Sequence, residues 1–107
     1  MLSSMNTEEL FKALSNTVRL NMLSWLKEPE LHFDEMEHLP EKEKGKGYVC
    51  VSAIHLKAGI TQSTTSHFLT ILKKNNLLIS KRIGQWTYYR RNEETIQNLA
   101  KYIAKEL

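Results

Sequence analysis

Of the 107 residues only one is cysteine, Cys50. A lone thiol closes no disulfide within the chain, so a disulfide-stapled scaffold is excluded and nothing argues for secretion. Long apolar runs are also missing: none approaches the roughly 18–20 residues needed to span a bilayer. The opening MLSSMNTEEL carries its acids early and lacks the basic-then-apolar order of a signal segment. No phosphate-binding loop is present, and the histidines are scattered without a nucleophile–base pair, so there is no case for an enzyme. The expectation is a cytoplasmic, non-enzymatic protein. Its length suits one small domain, 1–107, with a single core.

The most informative absence is that of acid. From 48 to 91 the chain holds Lys57, Lys73, Lys74, Lys81, Arg82, Arg90 and Arg91 and no Asp or Glu, while the flanking segments are net acidic. The formal net charge of +3 hides this asymmetry. A stretch without carboxylates suits a polyanionic partner, because one misplaced carboxylate repels phosphate. The competing explanation is chance clustering on a solvated surface.

What is present is mostly helical. Leu10, Phe11, Leu14, Val18, Leu20, Met22, Leu23 and Leu26 recur at helical spacing. Thr7, followed by Glu8 and Glu9, serves as an N-cap, and Ser15-Asn16 can end one helix and cap the next. This predicts helices over about 7–14 and 16–27. Residues 28–47, EPELHFDEMEHLPEKEKGKG, break the pattern with two prolines, two glycines and dense charge. They read as an extended connecting segment, mobile near EKEKGKG and long enough to suggest a role of its own.

VCVSAIHLKAG reads as a short helix ending near Gly59. Thr61 then caps a second helix, which Lys73, Lys74 and Asn75-Asn76 bring to a stop. Together, 50–74 form a helix-turn-helix pattern. LLISKRIGQWTYYRR predicts two strands, about 77–83 and 86–91, around a tight turn with Gly84 at positive φ. A last helix over 93–107, capped by Asn92, places Ile96, Leu99, Ala100, Ile103 and Leu107 on one face.

The helix after Thr61 offers Gln62, Ser63, Thr64, Ser66 and His67 near its N-terminus. These donors and acceptors can reach base edges and phosphates in a major groove, and the positive end of the helix dipole favours a phosphate. The 77–91 hairpin, basic at Lys81 and Arg82, with Gln85 in its turn and Trp86, Tyr88 and Tyr89 beyond, reads as a wing along the DNA backbone or the minor groove. Simpler roles stand beside these. Trp86 and Tyr88 can be packing residues of a small sheet. Phe68, Leu69 and Leu72 read as core. His67 can be a solvated surface histidine, and Arg19 reads as a structural ion-pairing residue.

ELFKALSNTVRLNMLSWL resembles the opening helix pair of the arsenic-repressor (ArsR/SmtB-type) family of winged-helix regulators, with Ala13, Leu14, Arg19, Leu20 and Leu23 in place. TQSTTSHFLTILKKNNLL is similar to that family's recognition helix and following strand, and RIGQWTYYRR to its wing. The likeness runs from about 7 to 103, interrupted by the longer 28–47 segment. It implies a mainly α winged helix-turn-helix with a small β-hairpin, in the order α-α-α-α-β-β-α. It also implies a homodimer joined through the first and last helices, which binds a palindromic double-stranded DNA operator, represses, and lets go when an inducer binds. In the resemblance Gln62, Ser63, Ser66 and His67 fall where the family touches DNA. The rival function is a winged-helix module for protein contact. The hydroxyl-rich helix face disfavours it, since protein interfaces centre on apolar or aromatic anchors.

Founding members of that family hold arsenic or cadmium through a Cys-x-Cys pair before the recognition helix. Here Cys50 falls on the first position and Ser52 on the second. A soft metal wants two or three thiolates, so the pair is broken. The zinc-binding histidines that other relatives carry on the last helix have no counterpart in EETIQNLAKYIAKEL. His32 or His38, from HFDEMEH, could still join Cys50 around zinc, against the plainer reading of a solvated acidic loop. The expectation is therefore no cofactor and no metal, with His32, His38 and Cys50 as the remaining candidates. Reactive thiols need an electropositive, exposed setting, whereas Val49, Val51 and Ile54 point to burial, so Cys50 is read as a packing residue.

Overall fold

Asparagine starts three of the helices in the computed structural model, which describes residues 6–107. The Asn6 side chain accepts from the Glu9 N–H at 3.0 Å and opens α1, Thr7–Leu14. The cap is thus one residue earlier than the expected Thr7, which already has helical geometry. Asn16 accepts from the Arg19 N–H at 3.0 Å and opens α2, Thr17–Lys27. Asn92 accepts from the Thr95 N–H and opens α5, Glu93–Glu106. Each cap satisfies a donor that the first helical turn leaves without a partner.

Arg19 holds the corner between α1 and α2. Its Nε donates to the Ala13 carbonyl at 2.6 Å and a terminal nitrogen donates to the Lys12 carbonyl at 3.1 Å. The expected ion pair is therefore replaced by a cation on the negative end of α1. The guanidinium also lies over the Phe68 ring, 5.0 Å from its centroid.

The connecting segment does not run loose over the surface. Short 3₁₀ turns form at Pro29–Leu31 and Glu41–Glu43, and Leu39 and Glu43 are buried. The segment then enters a strand with no counterpart in the expected pattern, β1, Val49–Cys50. It pairs antiparallel with β3, Trp86–Arg91, matching Val49 with Tyr89 and Cys50 with Tyr88. β2, Leu78–Ile83, pairs with the other edge of β3 through Ile83 and Trp86 at the turn. The expected two-stranded hairpin is thus a three-stranded antiparallel sheet in the order β1-β3-β2.

Between these lie α3, Val51–Ala58, and α4, Gln62–Lys74. Gly59, at φ 67°, ends α3 in the left-handed conformation that a side chain resists. Thr61 accepts from the Thr64 N–H at 3.1 Å to start α4, and Asn76, at φ 60°, turns the chain out of it. Gly84, at φ 62°, makes the wing turn.

The main core joins Met22, Leu23 and Leu26 of α2 to Ile54 of α3, Leu69 and Leu72 of α4, and Leu77 and Leu78 entering the sheet. Full burial of each such side chain stabilises the fold by about 1.5–3 kcal/mol. A second cluster, Leu39, Tyr48, Cys50 and Tyr88, packs the 28–47 segment onto the sheet. A third is small: Leu10 of α1 against Leu99 of α5, flanked by Phe11, Leu14 and Tyr102. Beyond it Ile103 and Leu107 stay 44% and 79% exposed. Among the described residues no helix is long and apolar enough to cross a membrane.

Candidate nucleic-acid interface

α4 has two faces because its apolar residues recur at helical spacing. Thr65, Leu69 and Leu72 are buried, with Phe68 and Ile71 packed beside them. The Thr65 hydroxyl donates back to the Thr61 carbonyl at 2.9 Å, so this buried polar group has its partner. At about 100° per residue, Gln62, Ser63, Ser66, His67, Thr70, Lys73 and Lys74 fall within one arc of roughly 140°. All seven are exposed. The structure thus extends the expected group along the helix by Thr70 and the two lysines. The spacing 66, 70, 73 and 74 holds that signal, although in sequence the lysines read first as the end of the helix.

Thr64 departs from the group. It is half-buried, and its hydroxyl accepts from the Thr61 hydroxyl at 2.8 Å, closing the N-terminal turn. It therefore serves the cap. His67 is exposed, with its ring tilted against Phe68 at 6.1 Å between centroids.

In the wing, Lys81 and Arg82 point to opposite faces of β2, as neighbours in a strand do. Lys81 is directed at the 28–47 segment: its Nζ reaches the Glu43 carboxylate at 2.5 Å. Lys46 reaches the other Glu43 oxygen at 3.4 Å. The Glu43 side chain is only 6% exposed. The bond from Lys81 lowers its pKa below the ordinary 4.5, outweighing a burial that acts the other way. Arg82 and Gln85 remain exposed at the wing and its turn, and among the described residues Arg82 has no ion-pair partner.

The aromatic residues of the wing divide. Tyr88 is 1% exposed and belongs to the core, and burial pushes its phenol pKa up. Trp86 is half-buried and stacks on His38 of the 28–47 segment, with centroids 4.7 Å apart and planes 8° from parallel. Packing is therefore the role the geometry gives both.

The proposed metal ligands are only partly brought together. His32, His38 and Cys50 line one cleft. His38 stacks on Trp86, and among the described residues no three His, Cys, Asp or Glu side chains converge as a metal would need. The Cys50 sulfur lies 3.3 Å from the Ser52 hydroxyl, and the Cys50 N–H donates to the Met36 sulfur at 3.4 Å. A thiol beside a serine hydroxyl is a poor donor set for a soft metal, so these residues do not fit the thiolate pair of metal-sensing relatives.

No protein-family model matches the chain. Individual proteins do. The uncharacterized HTH-type transcriptional regulator YbzH of Bacillus subtilis (strain 168) is 48% identical over 99 residues, covering 92% of this chain and 96% of that protein. The transcriptional repressor SmtB homolog of Synechocystis is 27% identical over 99 residues, covering 92% of this chain and 61% of that protein. Among solved structures, a homodimeric winged helix-turn-helix DNA-binding domain of Mycobacterium bovis, from a possible ArsR-family transcriptional regulator, superposes with a TM-score of 0.63 at 27% identity. That match covers 94% of this chain and 79% of the other. With its element order, the exposed polar face of α4 and these relatives, the chain belongs to the ArsR family of winged helix-turn-helix DNA-binding transcriptional regulators.

Proposed function

We propose that the protein acts in the cytoplasm as a homodimeric repressor, and that a signal releases it from a palindromic operator. Each protomer seats α4 in a major groove. Gln62, Ser63, Ser66 and His67 face base edges and nearby phosphates there, while Thr70, Lys73 and Lys74 follow the backbone. Arg82 and Gln85 bring the wing to the adjacent phosphates. Two half-sites one turn of DNA apart, about 34 Å, fit a two-fold dimer.

The single observation that carries this reading is the exposed arc of α4, polar or basic at every position and without one apolar side chain. An apolar arc would have favoured a module for protein contact instead. For the dimer, the support is the small Leu10–Leu99 cluster between α1 and α5, with Ile103 and Leu107 left exposed beside it. A second copy of this pair of helices would cover them.

The test is a gel shift on the DNA upstream of the protein's own coding region. Wild type binds at moderate salt, and the doubly substituted Ser66→Ala, His67→Ala protein binds far more weakly. Equal binding by the two removes the reading-helix assignment. Binding indifferent to salt removes the DNA role, since phosphate contacts release counterions.

A further inference from the structure

The 28–47 segment does more than connect. Between it, α3 and the wing lies a cleft of about 720 Å³, within the range of roughly 300–1,000 Å³ typical of small-molecule sites. Its apolar wall is Met36, Leu56 and Trp86. Leu56 is 78% exposed, unusual for a leucine on a helix of the core motif. Its rim carries Asp34, Glu35 and Glu37. Glu35 reaches Lys44 at 3.5 Å, but among the described residues Asp34 and Glu37 pair with no cation. Among the described residues Lys57 is the one lysine or arginine on the cleft wall, and its ammonium lies over the Trp25 ring at 5.6 Å.

We propose that this cleft binds a small organic cation with an aromatic or apolar body. Trp86 offers a flat π-face, and the imidazole of His38 already rests on it in parallel. His38 is exposed and, among the described residues, no hydrogen bond holds its ring, so the stack is a place that another flat group can take. The ring face attracts a positive charge, and Asp34 and Glu37 stand on the rim to receive it. An anion of the same shape meets those carboxylates instead and is repelled. Resting on the DNA-binding reading above, the site is also an effector site. Trp86 follows Gln85 directly at the wing turn, so a ligand that displaces His38 breaks the stack that joins the 28–47 segment to the wing beside that turn, while the Glu43–Lys81 pair and the Leu39 cluster stay in place.

The experiment titrates the full chain with tetraphenylphosphonium, and separately with its isosteric anion tetraphenylborate, by calorimetry and tryptophan fluorescence. The chain is net positive, so a preference for the cation reports the local carboxylates rather than overall charge. The expected result is saturable one-to-one binding of the phosphonium, tighter than the borate. It weakens about tenfold or more in Asp34→Asn, Glu37→Gln. In Trp86→Phe the fluorescence response disappears while calorimetry still detects weaker binding. No saturation below about 1 mM, equal or tighter binding of the borate, or an unchanged affinity in the carboxylate variant overturns the site. None of these arms needs DNA, so they stand apart from the repressor reading. For the effector role, the phosphonium shifts wild-type DNA affinity and leaves that of the carboxylate variant unmoved; no shift in wild type overturns that role.

Discussion

The Glu43 carboxylate of the 28–47 segment receives the Lys81 ammonium of β2 at 2.5 Å, although 38 residues separate the two in sequence. Lys46 completes the group from the other side. One buried carboxylate thus fastens the long segment to the wing and engages a half-exposed lysine on the face of β2 opposite Arg82. Glu43→Gln frees two cations near the wing. DNA binding is expected to tighten at low salt. The slope of log affinity against log salt steepens by about 0.9 for each further phosphate that the freed cations neutralise. Fluorescence anisotropy on labelled duplex across a salt series measures both; an unchanged slope means that Lys81 does not reach the DNA when released.

The same carboxylate makes stability depend on pH in a definite direction. The bond from Lys81 holds the Glu43 pKa below its ordinary 4.5 in the folded protein. A depressed acid contributes its full stability above that ordinary value and loses it as pH falls through the folded value. The difference in melting temperature between wild type and Glu43→Gln is therefore expected to stay level from neutral pH to about pH 5 and then shrink. Thermal unfolding followed by circular dichroism at several pH values checks this. A difference that grows on acidification contradicts it.

Gln62 and Arg82 occupy different kinds of position, and their substitutions should fail differently. Gln62→Ala, on the reading face, is expected to cost about 1–3 kcal/mol on the preferred operator and to relax the choice at one base pair. Arg82→Ala weakens binding to all sequences alike and lowers the salt slope by about 1. Competition against a library of single-base operator variants separates the two outcomes.

Cys50 sits among Leu39, Tyr48 and Tyr88 with its sulfur against Ser52. Its thiol should react with a colorimetric disulfide reagent on the order of a hundredfold more slowly in the native protein than in denaturant. A native rate close to the denatured one shows an accessible thiol and contradicts the packing role.

Local chemistry makes most of the helices legible. Asn16, Thr61 and Asn92 sit where polar residues precede apolar periodicity, and the chain leaves α3, α4 and the wing turn at Gly59, Asn76 and Gly84, residues that tolerate positive φ. The exposed polar face of α4 follows from the same periodicity. What stays hidden depends on distant partners. β1 is two residues long, and only its register with Tyr88 and Tyr89 makes it a strand. Strand alternation puts Lys81 and Arg82 on opposite faces but does not say that Glu43 covers one of them. The His38–Trp86 stack joins residues 48 positions apart, beyond any local pattern. Arg19 reads as structural in sequence, but a cation is satisfied as well by helix-end carbonyls as by an acid, and sequence does not choose between them.

Arg19 also works as a link. One end of its guanidinium grips the last carbonyls of α1, while its plane lies over Phe68, the neighbour of His67 on α4. That one side chain therefore couples the end of α1 to the helix whose exposed arc is proposed to meet DNA. If α1 forms the dimer seam as proposed, Arg19 is one of the contacts, beside the shared core, through which the seam and α4 feel each other.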